Sequence, residues 1–475
     1  MLLPDNRRKA THPRIIQGGM GIGVSGWELA RAVSMCGALG VVSGTAVDTV
    51  MVRRLQDGDP GGHVRRALRA FPMPELSELV ERRFYNADGR RDTPYVTLPM
   101  FRRIVTIERA RITLLANFVE VWLAKEGHDG VVGINLLTKV QMPNLPSLYG
   151  AMLAGVDYVI MGAGIPREIP AVLDALAEHR AVRLKLEVEG ATAELPDEMM
   201  FDPQEHYPGV HAPLFRPAFL PIVSATSLAT TLARKASGRV DGFIVEGPTA
   251  GGHNAPPRGE PRFNDDGEPL YGERDSVDLR KIRDLGLPFW LAGGAGTPDA
   301  LRDALAQGAA GVQVGTLFAY CDESGLAQPL KDAVLTGISS ETVRVRTDAL
   351  ASPTGYPFKV VQVNGLEHQD ETRKRNCDLG YLRAAYRMEN GRIGYRCAAE
   401  PVDDYVKKGG DVADTIGRRC LCNGLTANIG QAQQRDGGTE PPLITSGDDL
   451  VSLTGFAHGR SRYSAADVLD YLLDA

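Results

Sequence analysis

The chain is poor in cysteine, in positive charge and in long apolar runs, and each shortage excludes a class of protein. Six cysteines among 475 residues are too few for a disulfide framework, so reduced thiols or metal ligands are expected. A net charge of −6 argues against a nucleic-acid partner, which would require a basic face. No stretch approaches the roughly 18 apolar residues of a membrane span, and the first residues lack a signal-peptide pattern. We therefore expect a cytoplasmic protein with no membrane partner.

Short apolar runs alternate with helical patterns over most of the chain, as in the βα units that build a parallel sheet. The runs are continuously apolar, which is typical of strands covered on both faces. Eight strands are predicted: Pro13–Gln17, Leu39–Ser43, Val131–Leu137, Tyr158–Gly162, Phe219–Ser224, Gly242–Glu246, Phe289–Ala292 and Gly311–Val314. An α/β fold of the (β/α)8 TIM-barrel class accommodates this number. The alternative, a doubly wound open sheet, rarely uses so many parallel strands in one domain.

Two insertions and a C-terminal extension interrupt the repeat. We predict a barrel over residues 1–330, insertions at about 53–130 and about 182–217, and an extension over 331–475 packed on the barrel. In the first insertion, Phe101–Lys125 has a helical pattern with arginines on its polar side, which indicates a helical arm or lid, or else a solvated surface excursion. A long arm would also suit a homodimer. In the second insertion, Leu184–Glu189 alternates strictly and predicts an exposed hairpin strand.

Glycine-containing loops follow the last two predicted strands. Gly293 and Gly294 allow a tight turn and a close approach to a ligand, and Thr297 is a suitable N-cap for the helix after them. Gly315 and Thr316 stand at the end of the next strand. Barrels frequently build a phosphate site from the loops after strands 7 and 8, where helix N-termini offer free N–H groups. Two such loops in consecutive units favour a phosphate site over ordinary turns.

The loop after the sixth predicted strand, Glu246–His253, carries a histidine among glycines. Barrel active sites lie at this end of the strands, and a histidine can act there as acid, base or hydrogen-bond donor near neutral pH. A lone histidine is more often structural, but the position and the flexible loop favour a catalytic role for His253.

The ends of the first and third predicted strands could hold a flat ring. Gly18 and Gly19 would let the backbone lie against such a ring, and Met20 is adaptable enough to pack on it. Asn135 places a polar group in an otherwise apolar strand, and a heterocycle edge is one candidate partner for a buried amide. Taken alone, the first loop would be an ordinary βα turn.

In this order, the motifs resemble those of the nitronate monooxygenase (2-nitropropane dioxygenase-like) family, and the flavin-dependent enoyl-acyl-carrier-protein reductases share them. The segments are Gln17–Met20, Gly133–Leu136, Glu246–His253, Ala292–Gly294 and Gln313–Thr316, within a match over roughly residues 11–330. The resemblance implies FMN, with its phosphate on the two late loops, its ring beside the first and third strands, and His253 facing the ring. The cofactor-binding residues are then Gln17, Gly18, Gly19, Met20, Asn135, Ser224, Glu246, Gly251, Gly252, Gly293, Gly294, Gly315 and Thr316.

One departure concerns the phosphate. Many members carry a lysine near the end of the fifth strand that meets it, but Pro221–Thr226 contains none, and Ser224 is the candidate replacement. A single phosphate site, built from two adjacent loops, favours FMN over the dinucleotide FAD.

The leading function is oxidation of a nitronate, or a related carbanion, by FMN and O₂, with a small-molecule substrate held or deprotonated by His253. One alternative is reduction of an enoyl thioester by NAD(P)H, and another is a non-catalytic flavin- or phosphate-binding scaffold. An IMP-dehydrogenase-like function is disfavoured because the loop after the sixth strand lacks a nucleophilic cysteine.

The extension contains two further candidate sites. Ser352–Lys359 is rich in turn residues and is similar in position to a pocket-lining segment of the family, so Tyr356 and Lys359 are predicted at the mouth of the barrel; a surface turn is the alternative. Four thiols could form a tetrahedral zinc site: Cys377, Cys397, Cys420 and Cys422. Buried free cysteines are the alternative, and the spacing matches no common iron–sulfur cluster.

Overall fold

The computed structural model describes residues 12–91, 93–191, 197–363, 374–436, 438–457, 460 and 462–474. The strands are β1 Ile15–Gln17, β2 Gly40–Ser43, β3 Val132–Leu137, β4 Tyr158–Gly162, β5 Val182–Lys185, β6 Val188–Glu189, β7 Glu198–Phe201, β8 Ala218–Val223, β9 Phe243–Glu246, β10 Phe289–Ala292, β11 Gly311–Val314, β12 Val343–Asp348, β13 Phe358–Val363, β14 Ala384–Arg387 and β15 Ile393–Arg396.

The α-helices are α1 Trp27–Met35, α2 Val47–Gln56, α3 His63–Ala70, α4 Pro74–Phe84, α5 Ile107–Lys125, α6 Asn144–Leu153, α7 Ile169–Ala177, α8 Pro203–His206, α9 Thr226–Lys235, α10 Leu279–Arg283, α11 Pro298–Ala306, α12 Thr316–Ala319, α13 Gln328–Ser339, α14 Val402–Lys407, α15 Leu421–Ala427, α16 Leu453–Phe456 and α17 Ala465–Leu473. Short 3₁₀ helices cover Pro60–Gly62, Glu273–Asp275, Val412–Thr415 and Asp448–Ser452. Among these described helices, none has both the length and the apolarity needed to cross a membrane.

Eight parallel strands form one sheet, in the order β1-β11-β10-β9-β8-β4-β3-β2. The two ends of this order meet, because Ile16 and Leu39 form a parallel bridge and the Gln17 N–H donates to the Leu39 carbonyl at 2.9 Å. The sheet is therefore a closed barrel. The TIM-barrel prediction is confirmed, and the open-sheet alternative is wrong.

Apolar side chains fill the barrel interior between its strands. The cluster consists of Ile16, Leu39, Val41, Ile160, Leu220, Ile244, Trp290 and Ala292. Trp290 is fully buried, and its indole N–H donates to the carbonyl of Pro13 at 2.7 Å, just before β1 begins. Because packed layers of side chains fill this interior, a ligand finds room at the C-terminal ends of the strands.

The first insertion packs into the helical layer and does not project as an arm or lid. Most residues of α5 are buried, and the helix packs against α1, α2 and α6. Arg109 is one of the arginines that suggested a polar face, but its side chain is buried and its Nη1 donates to Asp48 at 2.7 Å. The sequence pattern predicted that this arginine faces solvent, but it is paired with the buried carboxylate of Asp48. The spacing of arginines along a helix does not distinguish these two environments.

The second insertion contains a hairpin, since β5 pairs antiparallel with β7. The alternating run predicted at Leu184–Glu189 is split, however: β6 is a separate strand that pairs in parallel with β14 of the extension. The extension adds the antiparallel pairs β12–β13 and β14–β15. Its last helix, α17, packs against α1 and α11, so it joins the outer helical layer of the barrel.

Candidate active site

A cavity of about 380 Å³ lies at the C-terminal ends of the barrel strands. Thirteen predicted site residues line it: Gly18, Gly19, Met20, Asn135, Ser224, Glu246, Gly251, Gly252, His253, Gly293, Gly315, Thr316 and Tyr356. Cys422 lines it as well. A concave, mostly apolar site with a few converging polar groups is typical of a small-molecule site.

Three side-chain amide oxygens that line the cavity lack a hydrogen-bond partner in the described part of the chain; two are on β3 and β11, and the third is in the loop after β9. Asn135 donates through Nδ2 to the Gly19 carbonyl at 3.0 Å, but its Oδ1 has no partner among the described residues. The same holds for Oε1 of Gln313 and Oδ1 of Asn254, which also line the cavity. A buried polar atom left unpaired is costly, so these amides fit a ligand with complementary polar edges.

Gly19 lets that wall close tightly. A methyl group added at Gly19 would lie 2.3 Å from Cβ of Asn135, a distance that no side chain tolerates. The turn after β1 therefore approaches β3 only because this residue lacks a side chain.

The side-chain amide of Gln17 supports the turn that follows β1. It is fully buried; its Nε2 donates to Ser25 Oγ at 2.8 Å, and its Oε1 accepts from the Val41 N–H at 2.9 Å. Ser25 Oγ in turn accepts from the Met20 N–H at 2.9 Å and donates to the Gly18 carbonyl at 2.8 Å. The structure therefore places the Gln17 amide in the support of the turn and not on the cavity wall.

His253 is fixed by the extension. Its Nε2 is hydrogen-bonded to Ser352 Oγ at 2.7 Å, and its ring packs edge-on against Phe358 with centroids 4.9 Å apart. Burial lowers the pKa of His253 to about 4, so the imidazole is neutral at ordinary pH. Ser352 is its one hydrogen-bond partner among the described side chains, which leaves Nδ1 for a ligand.

Glu246, the last residue of β9, is a second titratable group in the cavity lining. Its carboxyl lines the cavity and forms no hydrogen bond within the described part of the chain. Burial raises the pKa of Glu246 to about 8, because a charged carboxylate is poorly solvated there. Glu246 is therefore mostly protonated at neutral pH and contributes a neutral O–H donor.

The loops predicted to bind phosphate adopt the expected turns. Gly293 has φ +92°, and a methyl group on it would lie 2.8 Å from the Ala250 backbone nitrogen, so both conformation and space require glycine. Thr297 caps α11 by accepting from the Ala300 N–H at 3.1 Å. No described group accepts a hydrogen bond from the backbone N–H of Gly315, which leaves this donor for an anion.

The predicted residues Tyr356, Gly294 and Lys359 lie at the mouth of the cavity or behind its wall. The Tyr356 ring lies near His253, with centroids 6.4 Å apart, and lines the cavity. Gly294 adopts φ +68° but is not part of the lining. Lys359 is also behind the wall: its side chain is buried, and its Nζ donates to Thr347 Oγ1 and Asp448 Oδ1, each at 2.7 Å.

The extension closes the cavity from two sides. On one side, the Lys359 N–H donates to the Gly252 carbonyl at 2.9 Å. On the other, the Gly252 N–H donates to Thr445 Oγ1 at 2.8 Å, and a methyl group at Gly251 would lie 2.8 Å from the backbone carbon of Ser446. The extension also supplies much of the lining: Tyr356, Phe358, Tyr381, Leu382, Leu421, Cys422, Leu425, Thr445, Ser446, Gly447 and Asp449.

The zinc site predicted in the extension is not formed. Within the residues that the structure describes, no group of three or more His, Cys, Asp or Glu side chains is arranged to hold a metal ion. Cys397, Cys420 and Cys422 are buried, and Cys377 is partly buried. Burial raises the pKa of each of these four thiols. Buried free cysteines, the alternative interpretation, describe this region.

Comparisons with known proteins find similarity over parts of the chain. The family model for nitronate monooxygenase matches residues 213–447. A probable nitronate monooxygenase of Staphylococcus saprophyticus is 32% identical over 153 residues, which are 32% of this chain and 39% of that protein. The (3aS,4S,5R,7aS)-5-hydroxy-7a-methyl-1-oxo-octahydro-1H-indene-4-carboxyl-CoA dehydrogenase of Rhodococcus jostii is 31% identical over 156 residues, 32% of this chain and 38% of that protein.

This chain resembles the nitronate monooxygenase family. The resemblance predicted from the sequence motifs is thus confirmed over residues 213–447. The matched segments span less than two fifths of the length of these two relatives. Among solved structures, a nitroalkane oxidase of Streptomyces ansochromogenes gives a TM-score of 0.48 at 15% identity, with 97% of this chain and 95% of that chain covered.

The segment matched by the nitronate monooxygenase model contains the His253 loop, both glycine loops and the start of the closing segment Thr445–Asp449. Sequence reasoning missed that segment and the apolar wall of the extension. The sequence contains a weak indication of this segment. The turn-forming residues Ser446 and Gly447 come shortly after the apolar pair Leu443-Ile444, an order typical of a turn at the end of a strand. Nothing in the sequence pattern indicates which barrel loop such a turn would meet.

Proposed function

We propose that this chain is an FMN-dependent oxidoreductase that oxidises a nitronate, or a related carbanion, with O₂. The observation that carries the proposal is His253, a neutral imidazole on the cavity wall within the segment matched by the nitronate monooxygenase model. Two of the matched relatives are named probable nitronate monooxygenases.

The residues of the cavity fit the flavin ring. The unpaired amide oxygens of Asn135 and Gln313 would meet its polar edge, and Gly19 lets the turn after β1 pack directly against Asn135. The phosphate would lie on the loops of Gly293 and Gly315, which offer backbone N–H donors. When bound, FMN supplies an acceptor for two electrons from the substrate and a route for them to O₂.

His253 would act on the substrate through Nδ1. The bond from Nε2 to Ser352 fixes the orientation of the ring and leaves one nitrogen for the substrate. With the pKa lowered to about 4, the ring stays neutral above about pH 5, so Nδ1 either accepts a proton from a nitroalkane carbon or, in the other tautomer, donates to a nitronate oxygen.

The charge of the side chains that line the cavity determines how an anionic substrate could be bound. No lysine or arginine lines the cavity among the described residues, and the two carboxyl groups in the lining are Glu246 and Asp449. A nitronate would thus be held by neutral donors, which requires that Glu246 keep its proton. The raised pKa of Glu246 meets that requirement at neutral pH.

A pH profile tests this role of Glu246. Because the pKa is raised to about 8, the neutral form dominates below that pH, and the negative form accumulates above it. We expect kcat/KM for a nitronate, supplied as its anion, to fall on the alkaline side by up to about tenfold per pH unit. Glu246→Gln, which cannot ionise, should remove this decline, and an unchanged decline would assign the alkaline limb to another group.

The cofactor and the reaction are tested on the purified chain. We expect a yellow protein that releases FMN, and not FAD, identified by mass spectrometry. Under anaerobic conditions, mixing with a nitronate should bleach the visible absorbance of the oxidised flavin, since the substrate reduces it. Mixing with NADPH should leave the absorbance unchanged on the same timescale.

Each other outcome assigns a different function. Rapid bleaching by NADPH, followed by turnover of an enoyl thioester, would replace the proposal with the reductase alternative. Bound flavin that no substrate reduces would indicate a non-catalytic flavin-binding protein. Release of FAD, or no flavin binding at all, would contradict the proposed cofactor.

A further inference from the structure

A carboxyl group stands between the two loops that the proposed function assigns to the cofactor phosphate. Asp449 accepts through Oδ1 from the Thr316 hydroxyl at 2.6 Å. Its other oxygen lies close to the first loop, because a methyl group added at Gly296 would be 3.0 Å from Oδ2. Asp449 lines the cavity together with Gly293, Gly315 and Thr316. It therefore faces the place where an anion would bind.

The backbone around Asp449 holds it there. The Gly447 N–H donates to Thr316 Oγ1 at 3.0 Å, and the Asp448 N–H donates to the Thr249 carbonyl at 2.9 Å. A methyl group at Gly447 would lie 2.6 Å from Asp449 Oδ1, so glycine is needed for the carboxyl to fold back against its own turn. These contacts tie the segment to the loop after β11 and to the loop after β9.

Among the described residues, Lys359 is a cation that acts on Asp449, and its charge lowers the pKa of that carboxyl. Three titratable groups act on it: Asp448, Lys359 and Tyr320. The Lys359 ammonium is already bound to Asp448 and Thr347. Burial is the largest effect and raises the pKa of Asp449, and the charge of Asp448 adds to the rise. The hydrogen bond from Thr316, a backbone hydrogen bond of Asp449 itself and the charge of Lys359 oppose it, and the net shift is upward. A phosphate dianion beside this group would raise the pKa further, since like charges disfavour ionisation.

We propose that Asp449 carries a proton when the flavin phosphate is bound and donates it in a hydrogen bond to a phosphate oxygen, so that the chain binds FMN together with one proton. This inference rests on the proposed FMN cofactor. Above the pKa of free Asp449 the proton comes from solvent. The protonated carboxyl thus binds the phosphate where another site would use a cation. Binding of the cofactor therefore depends on pH.

The test is the dissociation constant of FMN for the apoprotein between pH 6 and pH 9, followed by flavin fluorescence, with riboflavin as the control ligand. Above the pKa of Asp449 in the apoprotein, we expect the dissociation constant of FMN for the wild type to rise about tenfold per pH unit. This is the slope expected when binding takes up one proton. Riboflavin has the same ring without the phosphate, so its constant should stay level. In Asp449→Asn, the FMN constant should change less than about threefold over the same range, because the amide donates without titrating.

A second measurement does not depend on the variant. Calorimetry of FMN binding to the wild type at pH 8, in buffers of different ionisation enthalpy, should report uptake of about one proton per flavin, and riboflavin should report none. If Asp449→Asn fails to fold, Asp449→Ser provides the non-titrating variant, with circular dichroism as the check on folding.

The outcomes separate this inference from the proposed function. A level FMN constant in the wild type, absence of proton uptake, or the same slope in wild type and Asp449→Asn would overturn the role of Asp449. In those cases bound FMN and oxidation of a nitronate would leave the proposed function standing. If the apoprotein binds neither FMN nor riboflavin, the proposed function fails and this inference fails with it.

Discussion

Replacing His253 with asparagine should slow reduction of the flavin by a nitroalkane or nitronate on the order of 10²-fold or more, the usual contribution of a positioned general acid or base. The reason is that Nδ1 is the ring atom left for the substrate, since Nε2 is bonded to Ser352. An asparagine retains a polar group but cannot accept the proton. The measurement is the rate of flavin bleaching under anaerobic single-turnover conditions.

The flavin content of the His253→Asn protein should equal that of the wild type, because the residues proposed to hold the ring, Asn135 and Gln313, are untouched. Ser352→Ala should have a smaller effect in the same direction, since the imidazole remains but loses its fixed orientation. His128→Asn is the matched control: His128 precedes β3, at the opposite end of the barrel strand from the site. Reduction rates near that of the wild type for His253→Asn would assign this histidine a structural role.

Replacing Asp48 with alanine should lower the free energy of unfolding by about 3–5 kcal/mol, because it leaves the charge of Arg109 buried and unpaired. The two side chains are only 2% and 4% exposed, and Arg109 Nη1 donates to Asp48 at 2.7 Å. Asp48 also accepts from Thr113 Oγ1 at 2.8 Å and from the Tyr381 hydroxyl, so one carboxylate joins α2, α5 and the extension. Denaturation by urea, followed by circular dichroism, measures the change.

Asp88→Ala is the matched control, because Asp88 is exposed and its loss should change stability by less than about 0.5 kcal/mol. In the double variant Asp48→Ala/Arg109→Met no charge is left buried, so its destabilisation should be smaller than the sum of the two single effects. Additive effects would show that the ion pair does not couple α2 to α5.

Acid should remove the same stabilisation in the wild type. Burial disfavours the charged form of Asp48, but Arg109 and the hydrogen bonds outweigh burial, and the pKa lies below its usual value. A lowered pKa in the folded state means that the contribution is complete above the unfolded pKa of about 4 and is lost as the pH falls through the folded one. The difference in stability between wild type and Asp48→Ala should therefore shrink as the pH falls below about 4.

Much of the barrel and of its glycine loops could be predicted because each feature is local. A continuous apolar run specifies a strand covered on both faces, and the turn chemistry of Gly293, Gly294 and Thr297 is complete within a few residues. Asn135 could be selected because a polar side chain interrupts an apolar run. In each case the sequence signal and the structural consequence lie within one βα unit.

The features that sequence reasoning missed depend on contacts between distant segments. Gly252 meets Thr445 across 193 positions of the chain, and His253 meets Ser352 across 99. In the sequence, the number of cysteines in the extension suggested a metal site, and the spacing of the arginines in α5 suggested a solvated face. Their actual surroundings, which are thiols buried without ligand geometry and an arginine paired with Asp48, are set by packing partners elsewhere in the chain.

The sequence alone therefore determined a closed parallel barrel and the loops at its C-terminal face, because hydrophobic periodicity and glycine turns act over short stretches of chain. The tertiary structure alone decided what closes that face. It placed the extension over the His253 loop and put Asp449 between the two loops proposed to hold the phosphate. It also placed His253 and Glu246 where the loss of solvation shifts their pKa values in opposite directions. Burial and charge pairing are properties of the assembled fold, and no local pattern encodes them.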